Sequence, residues 1–401
     1  MTNRYDAIVI GARCAGSPTA MLLARRGYRV LVVDKATFPS DTLSTHMIHA
    51  PGVAALRRWG LADQVADSNC PAITTYRFDF GPFTVSGSPR PVDGNADAFA
   101  PRRQVLDTLL VEAAAKAGAE VRQGFTVDEI LIDDGVVTGI RGHDAGGVTV
   151  TEHAPVVIGA DGRHSLVAKA VQPARYNERP VLMSPYYTYW SGVPFDTFTV
   201  FSRDHRGFGV FPTNDDLTLI VVGWPNAEFQ ANRGDVEGNY LKTIEEAPEM
   251  ADRVRAGQRE ERFHGSSGEP NFYRKPFGPG WVLVGDAGYL KDPITAQGIS
   301  DAFRDVELVV DGLDDTFCGR RPFDEAMTHY QQVRDEHTFP LYDFTCQLAS
   351  MEPPPPEMQH LLGAVSASPA GGDGFASMVA GTMPVPEFFS PDNIGRIMAA
   401  N

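Results

Sequence analysis

Five residues stand where a phosphorylated ligand would be gripped: Gly11, Gly16, Asp34, Asp161 and Asp286. The stretch from Ile8 to Ala20 reads IVIGARCAGSPTA, with Gly11 and Gly16 in the first and third glycine places of a Gly-x-Gly-x-x-Gly turn. Glycine in the first place permits the tight turn, and glycine in the third lets the following helix pack close to its strand. The free amides of that helix N-terminus attract a pyrophosphate. Asp34 lies 23 residues after Gly11, near the spacing of about 20 at which an acid holds a ribose 2′-hydroxyl and repels a 2′-phosphate. Between the glycines, Ala12 is followed by Arg13, a large cation where the pattern asks for no side chain. Two readings of Arg13 stand. Its guanidinium lies along the pyrophosphate and replaces part of the close backbone approach, or it turns away to solvent or a nearby carboxylate. Cys14, inside the turn, reads as a small buried filler. Pro18 falls near the end of the first helical turn, where a missing N–H is only just tolerable.

These residues need elements to position them. Tyr5 to Ile10 is a short apolar run ending at glycine, as a buried parallel strand does. Ala20, Leu22, Leu23 and Ala24 form a helical stripe, with Gly27 as the C-terminal stop. Val30 to Val33 is a second buried strand. Further on, Val156 to Ile158 predicts a strand, Gly159 to Gly162 a turn and Ser165 to Ala170 a short helix. Trp281 to Val284 predicts another strand, followed by Gly285-Asp286, and Pro293 and Gly298 precede a long helix through Asp305 and Glu307. In open parallel sheets, ligands bind beyond the carboxyl ends of the strands. One such aspartate alone would be a helix cap; three strand ends with glycine and aspartate point to one cofactor crevice.

The whole chain sets limits. Its 401 residues suffice for two domains or one elaborate one. A formal net charge of −16 argues against nucleic acid and anionic membrane as main partners. No apolar run approaches a transmembrane length. Met1 to Tyr5 leads directly into the first strand, so no signal or transit peptide is expected. The four cysteines are scattered, with no C-x-x-C pair, which suits a reducing cytoplasm and no metal site. Met351 to Gln359, MEPPPPEMQ, is expected to be extended, and the following SPAGGDGFAS a glycine-rich loop.

The stretches GARCAG, GADGRHS and GDAGYLKDPITAQG resemble the three fingerprints of FAD-dependent oxidoreductases of the para-hydroxybenzoate hydroxylase type. That group includes the class A flavin monooxygenases and, more distantly, geranylgeranyl reductases and flavin halogenases. The resemblance covers roughly residues 5 to 310. It implies an α/β fold: a glutathione-reductase-like FAD-binding Rossmann domain (1–71, 101–173 and 276–320), an inserted antiparallel-sheet substrate domain (72–100 and 174–275), and a helical C-terminal region (321–401). It also implies that Gly11, Ala12 and Gly16 approach the FAD pyrophosphate and that Asp34, with Lys35 beside it, meets the adenosine ribose. Asp286 would bind the ribityl chain, and Asp161 would lie near the pyrophosphate and a passing nicotinamide cofactor. Arg103 matches an FAD-contacting arginine at a helix start, with Arg102 as its rival. Pro293 would lie over the flavin ring, and the amides near Gln297, Gly298 and Ile299 would face flavin N1 and O2. Ala296 stands where many relatives have glycine and is compatible with the turn if its φ stays negative. The segment DTLSTHMIHAPGV would pass close to the flavin, where His46 either hydrogen-bonds flavin or substrate or is a satisfied loop histidine.

The remaining chain should shape a substrate compartment. TYRFDFGPF places Tyr76, Phe78 and Phe80 on one face, and GFGVFPTNDDLTLIVVGWP reads as two strands joined by an Asn-Asp turn. Most aromatics here read as core; Tyr187, Tyr189, Trp190, Phe201 and Phe211 are the pocket candidates. The resemblance implies that NAD(P)H reduces FAD and that O2 then supplies oxygen to a small hydrophobic or aromatic substrate. No second dinucleotide fold is visible, so nicotinamide visits transiently or a separate flavin reductase supplies electrons. A halogenase should carry Trp-x-Trp-x-Ile-Pro, but the local stretch is YWSGVP. A reductase saturating C=C bonds shares the fold and would need a long apolar tunnel. A non-catalytic flavin-binding protein is the alternative of another class.

Overall fold

A computed structural model describes residues 5–399. The wholly buried strands Ala7–Ile10 and Val30–Asp34 pair in parallel, with Ala7 opposite Val30. Val157–Gly159 pairs in parallel on the other side of the first strand, and Trp281–Leu283 in parallel beyond it. Glu120–Gln123 closes one edge in parallel, and Phe277–Gly278 the other antiparallel. Ile10, Gly159 and Leu283 are partners in register, so the three glycine-containing turns leave the sheet side by side. The expected convergence of strand ends is therefore a matter of register.

The helices Gly16–Arg25, Arg103–Lys116 and Gly298–Phe317 cover one face of this sheet around Val9, Val32, Leu106 and Phe303. Gly27 follows the first helix at φ +90°, a conformation that favours glycine. The opposite face packs on Leu166–Val171 and on a three-stranded antiparallel sheet, Thr126–Asp133, Val136–His143 and Thr149–His153.

An eight-stranded sheet draws its strands from residues 76–87 and 183–265. Its pairings are antiparallel except that Phe198–Arg203 runs parallel to Tyr76–Asp79. The hairpin Arg206–Pro212 and Thr218–Pro225 turns through Asp215 and Asp216, both at positive φ. Both faces of this sheet are buried. Tyr76, Tyr187, Tyr189 and Phe211 face the C-terminal helices, while Trp190, Phe208 and Trp224 face Tyr240 and Met250.

The C-terminal region is helical: Phe323–Ala349, Pro356–Ala367, Pro369–Val379, Val385–Phe388 and Pro391–Ala399. Two sequence expectations fail here. The extended proline-rich stretch ends at Pro355, and Pro356 opens a helix, where a proline lacks no needed donor. The glycine-rich stretch is a helix, capped by the Ser368 hydroxyl on the Gly371 amide. Its glycines serve close packing: a Cβ on Gly372 would lie 2.1 Å from the Ser86 carbonyl oxygen, and one on Gly87 2.2 Å from Gly372. No helix among the described residues is long and apolar enough to cross a membrane.

Candidate FAD cleft

The three strand-end turns open into one cleft of about 760 Å³. Gly11, Arg13, Asp34, Lys35, Arg103, Asp161, Asp286, Pro293, Gly298 and Ile299 all contribute to its wall. Ala12, Gly16 and Gln297 lie behind that wall. The two glycines of the first turn are fixed by packing. Gly11 is at φ +99°, and a Cβ there would sit 2.4 Å from the Ala160 carbonyl oxygen; a Cβ on Gly16 would sit 1.7 Å from the Gly11 carbonyl oxygen.

Asp34 ties this turn to the end of the second strand. One of its oxygens accepts from the Ala12 amide at 2.7 Å, the other from the Ala36 amide at 2.8 Å. Arg13 donates to Asp107 at 2.6 Å and to the Ser40 backbone carbonyl oxygen and hydroxyl, and its guanidinium lies over Phe38. This is the arrangement in which the arginine pairs with a nearby carboxylate. Asp107 is wholly buried and also accepts from Arg103 at 3.0 and 3.1 Å and from the Cys14 thiol at 3.4 Å. Burial pushes the Cys14 thiol pKa far up. Cys14 is thus a filler that also makes a hydrogen bond. Of the two candidate arginines, Arg103 faces the cleft. Arg102 lies over the Tyr189 ring and pairs with Glu261.

The two later aspartates differ. Asp161 accepts from the Leu166 amide at 2.6 Å, which is a helix-cap contact, but its other oxygen is buried without a protein partner. Burial raises its pKa. Asp286 opens onto the cleft, and its confined surroundings raise its pKa to about 6 against the pull of Arg103. Beyond it, Pro293–Thr295 forms a short 3₁₀ turn and the helix Gly298–Phe317 begins. Ala296 between them adopts φ +54°, so the expectation of a negative φ is overturned; the fold keeps the left-handed turn with an alanine in it. A Cβ added at Gly298 would meet nothing within 4 Å, which leaves the mouth of that helix N-terminus clear.

Residues 4–344 match the family of FAD binding domains. The chain belongs to that family and is an FAD-dependent oxidoreductase. It is 29% identical over 312 residues to the digeranylgeranylglycerophospholipid reductase of Methanocella arvoryzae, covering 75% of each chain. It is 26% identical over 371 residues to the 6-methylpretetramide 4-monooxygenase of Streptomyces rimosus, covering 82% of this chain and 83% of that one. The flavin-dependent brominase Bmp2 has the same fold, with a TM-score of 0.83 at 17% identity over 99% of this chain and 98% of that one.

The cleft of this FAD-dependent oxidoreductase fits its cofactor on the chain's own evidence. The clear space at Gly298 and the tight turn at Gly11 leave room for a bound ligand along the three strand ends.

The substrate side is narrower than the sequence suggests. Of the five aromatic candidates, Tyr187 alone reaches the cleft wall, with Leu43, Pro185 and Val221. Tyr189 is buried behind it, and Phe211 stacks on Phe198 in the core. Trp190 points to the opposite face, donating to the Tyr240 hydroxyl, and Phe201 stacks on Phe208 there. The cause is the period of two: Tyr187 and Trp190 are three residues apart on one strand and must face opposite sides.

His46, left open between a flavin or substrate contact and a satisfied loop histidine, does not line the cleft. It is fully buried off the cleft wall at φ +63°, with Nε2 hydrogen-bonded to the Tyr189 hydroxyl and its ring stacked on Tyr189. Burial and the nearby Arg103 and Arg102 hold it neutral, with its pKa well below the usual value. Its Nδ1 is buried without a protein partner. Sequence reasoning missed His49, which bridges the Tyr76 hydroxyl and the Thr295 carbonyl. It also missed the buried ion pair of Lys291 and Asp301, which flank the Pro293–Thr295 turn in sequence. It missed Asp107 too. The available signal was Arg13 itself: a cation in a buried turn requires a carboxylate, and Asp107 lies four residues after Arg103 on one helix face.

Proposed function

We propose that this enzyme is a monooxygenase that hydroxylates or epoxidises a small hydrophobic or aromatic molecule, with O2 as oxidant and NAD(P)H as transient reductant. The observation that carries this is the shape of the substrate side. The C-terminal helices cover the far part of the sheet face that carries Tyr187, with Leu361, Leu362, Val365 and Phe375 packed towards the edge strand Thr84–Gly87 and its neighbour. A long-chain substrate would need a longer apolar run than this cleft offers, whereas a small ring needs only the apolar corner between Leu43, Pro185, Tyr187, Val221 and Pro293. The glutathione-reductase-like reading of the cofactor region is supported by the parallel order of its four central strands. A cytoplasmic setting is supported by four unpaired cysteines.

Bound FAD supplies the electron storage and oxygen chemistry. The chain's part is to hold, orient and dry. The amides of the Gly11-Ala12 turn and the helix starting at Gly16 would hold the pyrophosphate with Arg103, while Arg13 braces the turn through Asp107. Asp34 and Lys35 would hold the adenosine ribose, and Asp161 would complete its bonding at the pyrophosphate side. Asp286 would accept from a ribityl hydroxyl. The N-terminal amides at Gly298 and Ile299 would stabilise negative charge on the ring, as a helix N-terminus does. Tyr187, Leu43, Pro185, Val221 and Pro293 would exclude water and orient the substrate.

A second reading, a reductase that saturates C=C bonds, is favoured by the 29% identity to the archaeal reductase. Stopped-flow reduction by NADH and NADPH, followed by O2 with candidate aromatics, separates the two. Incorporation of ¹⁸O from labelled O2 into product supports the monooxygenase. Anaerobic turnover of an alkene with no O2 uptake would replace it with the reductase, and reduction by neither nicotinamide would point to a separate flavin reductase.

A further inference from the structure

The flavin-side turn is held in a shape its own residues do not favour. Ala296 is in the left-handed region, which brings its Cβ against the backbone. Such a conformation persists only where its surroundings over-determine it. Three contacts do so here. His49 Nε2 meets the Thr295 carbonyl at 3.1 Å, the Thr295 and Thr345 hydroxyls meet at 2.9 Å, and the Gln297 side-chain amide donates to the Val379 carbonyl at 2.6 Å.

Two of these contacts reach past residue 344: Thr345 lies just beyond it in the helix Phe323–Ala349, and Val379 lies farther on. Val379 ends the helix Pro369–Val379, which lies beyond residue 344, where the family match stops. That helix is itself docked by backbone. Gly372 and Gly87 approach too closely for any side chain, Asp373 accepts from the Ser88 amide, and the Ser377 hydroxyl accepts from the Arg90 amide. A rigid line therefore runs from the edge strand Thr84–Gly87 through the C-terminal helix to Gln297, next to the strained residue. The Gln297 side chain is buried off the cleft wall, so its amide has no access to the flavin.

We propose that Gln297 is a positioning residue: through the Val379 carbonyl, the C-terminal helix clamps the left-handed Ala296 turn and so presents Gly298 and Ile299 to the flavin. The proposal rests on the reading that this turn faces the flavin.

The test uses the full-length enzyme, stripped of flavin and titrated with FAD. The variants are Gln297→Ala, Gln297→Glu (same shape, no donor), Ala296→Gly, and each Gln297 change combined with Ala296→Gly. Glycine holds a left-handed backbone without help, so it should make the clamp dispensable. Gln297→Ala and Gln297→Glu are expected to raise the FAD Kd roughly 5- to 30-fold, the factor equivalent to the left-handed cost of one alanine. They should also shift the bound-flavin absorption bands. In the Ala296→Gly background the same changes should raise Kd less than about twofold. Equal losses in both backgrounds, or none in either, overturn the clamp. Gly298→Leu tests the underlying reading separately, since its side chain would enter the clear space of the cleft. It should abolish FAD binding while the apoprotein keeps its circular dichroism and melting; normal FAD titration by that variant overturns the assignment of the turn and the clamp with it.

Discussion

Asp107 is the residue whose removal tests the reasoning about Arg13 most directly. Its carboxylate is wholly buried and is shared by Arg13 at 2.6 Å and Arg103 at 3.0 Å. Asp107→Asn keeps the shape and removes the charge, leaving two guanidiniums facing one neutral amide. Removing one partner of a buried ion pair costs about 3–5 kcal/mol, because the other charge is left uncompensated. Arg13 retains some solvent contact, which places the loss at the lower end of that range. For 401 residues, an unfolding entropy of about 2.1 cal/mol/K per residue makes 3–5 kcal/mol a drop of roughly 4–6 °C in apoprotein Tm. The assay is thermal melting of the stripped protein by circular dichroism, repeated in an Arg13→Met background. There only Arg103 remains to be neutralised, and the Asp107→Asn loss should shrink by about 1–3 kcal/mol. A Tm within a degree of the parent, or a loss of the same size in both backgrounds, would refute the view that Asp107 is the buried counter-charge that allows arginine in this turn.

Three further outcomes follow from the same geometry. Asp286→Ala should raise the FAD Kd about 10- to 150-fold, the factor for losing a hydrogen bond to a charged acceptor. Because this carboxyl has a pKa of about 6 and a hydroxyl donor favours its ionised form, parent FAD affinity should fall below pH 6. Fluorescence titration across pH 5–8 should find that fall missing in the variant. Trp190→Ala should cost about 3–5 kcal/mol of stability, as large core truncations do, with KM unchanged; a changed KM at unchanged Tm would return Trp190 to the substrate pocket. Asp305 is fully buried, with its pKa raised by burial to about 6, so the folded state binds its proton more tightly than the unfolded chain does. Its contribution is therefore present below about pH 4 and lost as pH rises through 6. Asp305→Asn should raise apoprotein Tm at pH 7.5 and leave it little changed at pH 4, and melting at both pH values decides the matter.

The cofactor half of the cleft was legible because its signals are local. A buried strand, a glycine turn and a terminal acid occupy consecutive residues, and the register of Ile10, Gly159 and Leu283 then aligns three such units without further information. The illegible parts depend on distant partners. Arg13 finds its carboxylate 94 residues away, and His46 finds Tyr189 143 residues away. The strand Met183–Ser191 is buried along nearly its whole length, so no alternation of apolar and polar residues tells which of its aromatics face the cleft. Composition misled at Pro369–Val379, where glycines that read as a loop are the contact surface between a helix and an edge strand.

This division bears on why one family can carry several reactions. The groups assigned here to FAD come from strand ends and the helix start at Gly298, all inside the family match at residues 4–344. The apolar corner proposed for the substrate comes from other elements: Pro185, Tyr187 and Val221 belong to the eight-stranded sheet. A relative sharing the first set and not the second would keep the cofactor and its redox chemistry while reshaping the corner beside Tyr187. On that reading substrate choice is decided by elements other than those assigned to the cofactor. Such a division accommodates the chain's similar identities, 29% and 26%, to a digeranylgeranylglycerophospholipid reductase and a 6-methylpretetramide 4-monooxygenase. The discriminating measurement is thus of the compartment: a cleft-wall substitution such as Val221→Ala should widen substrate choice toward bulkier rings while leaving FAD affinity within about twofold, because the groups assigned to the cofactor lie on other elements.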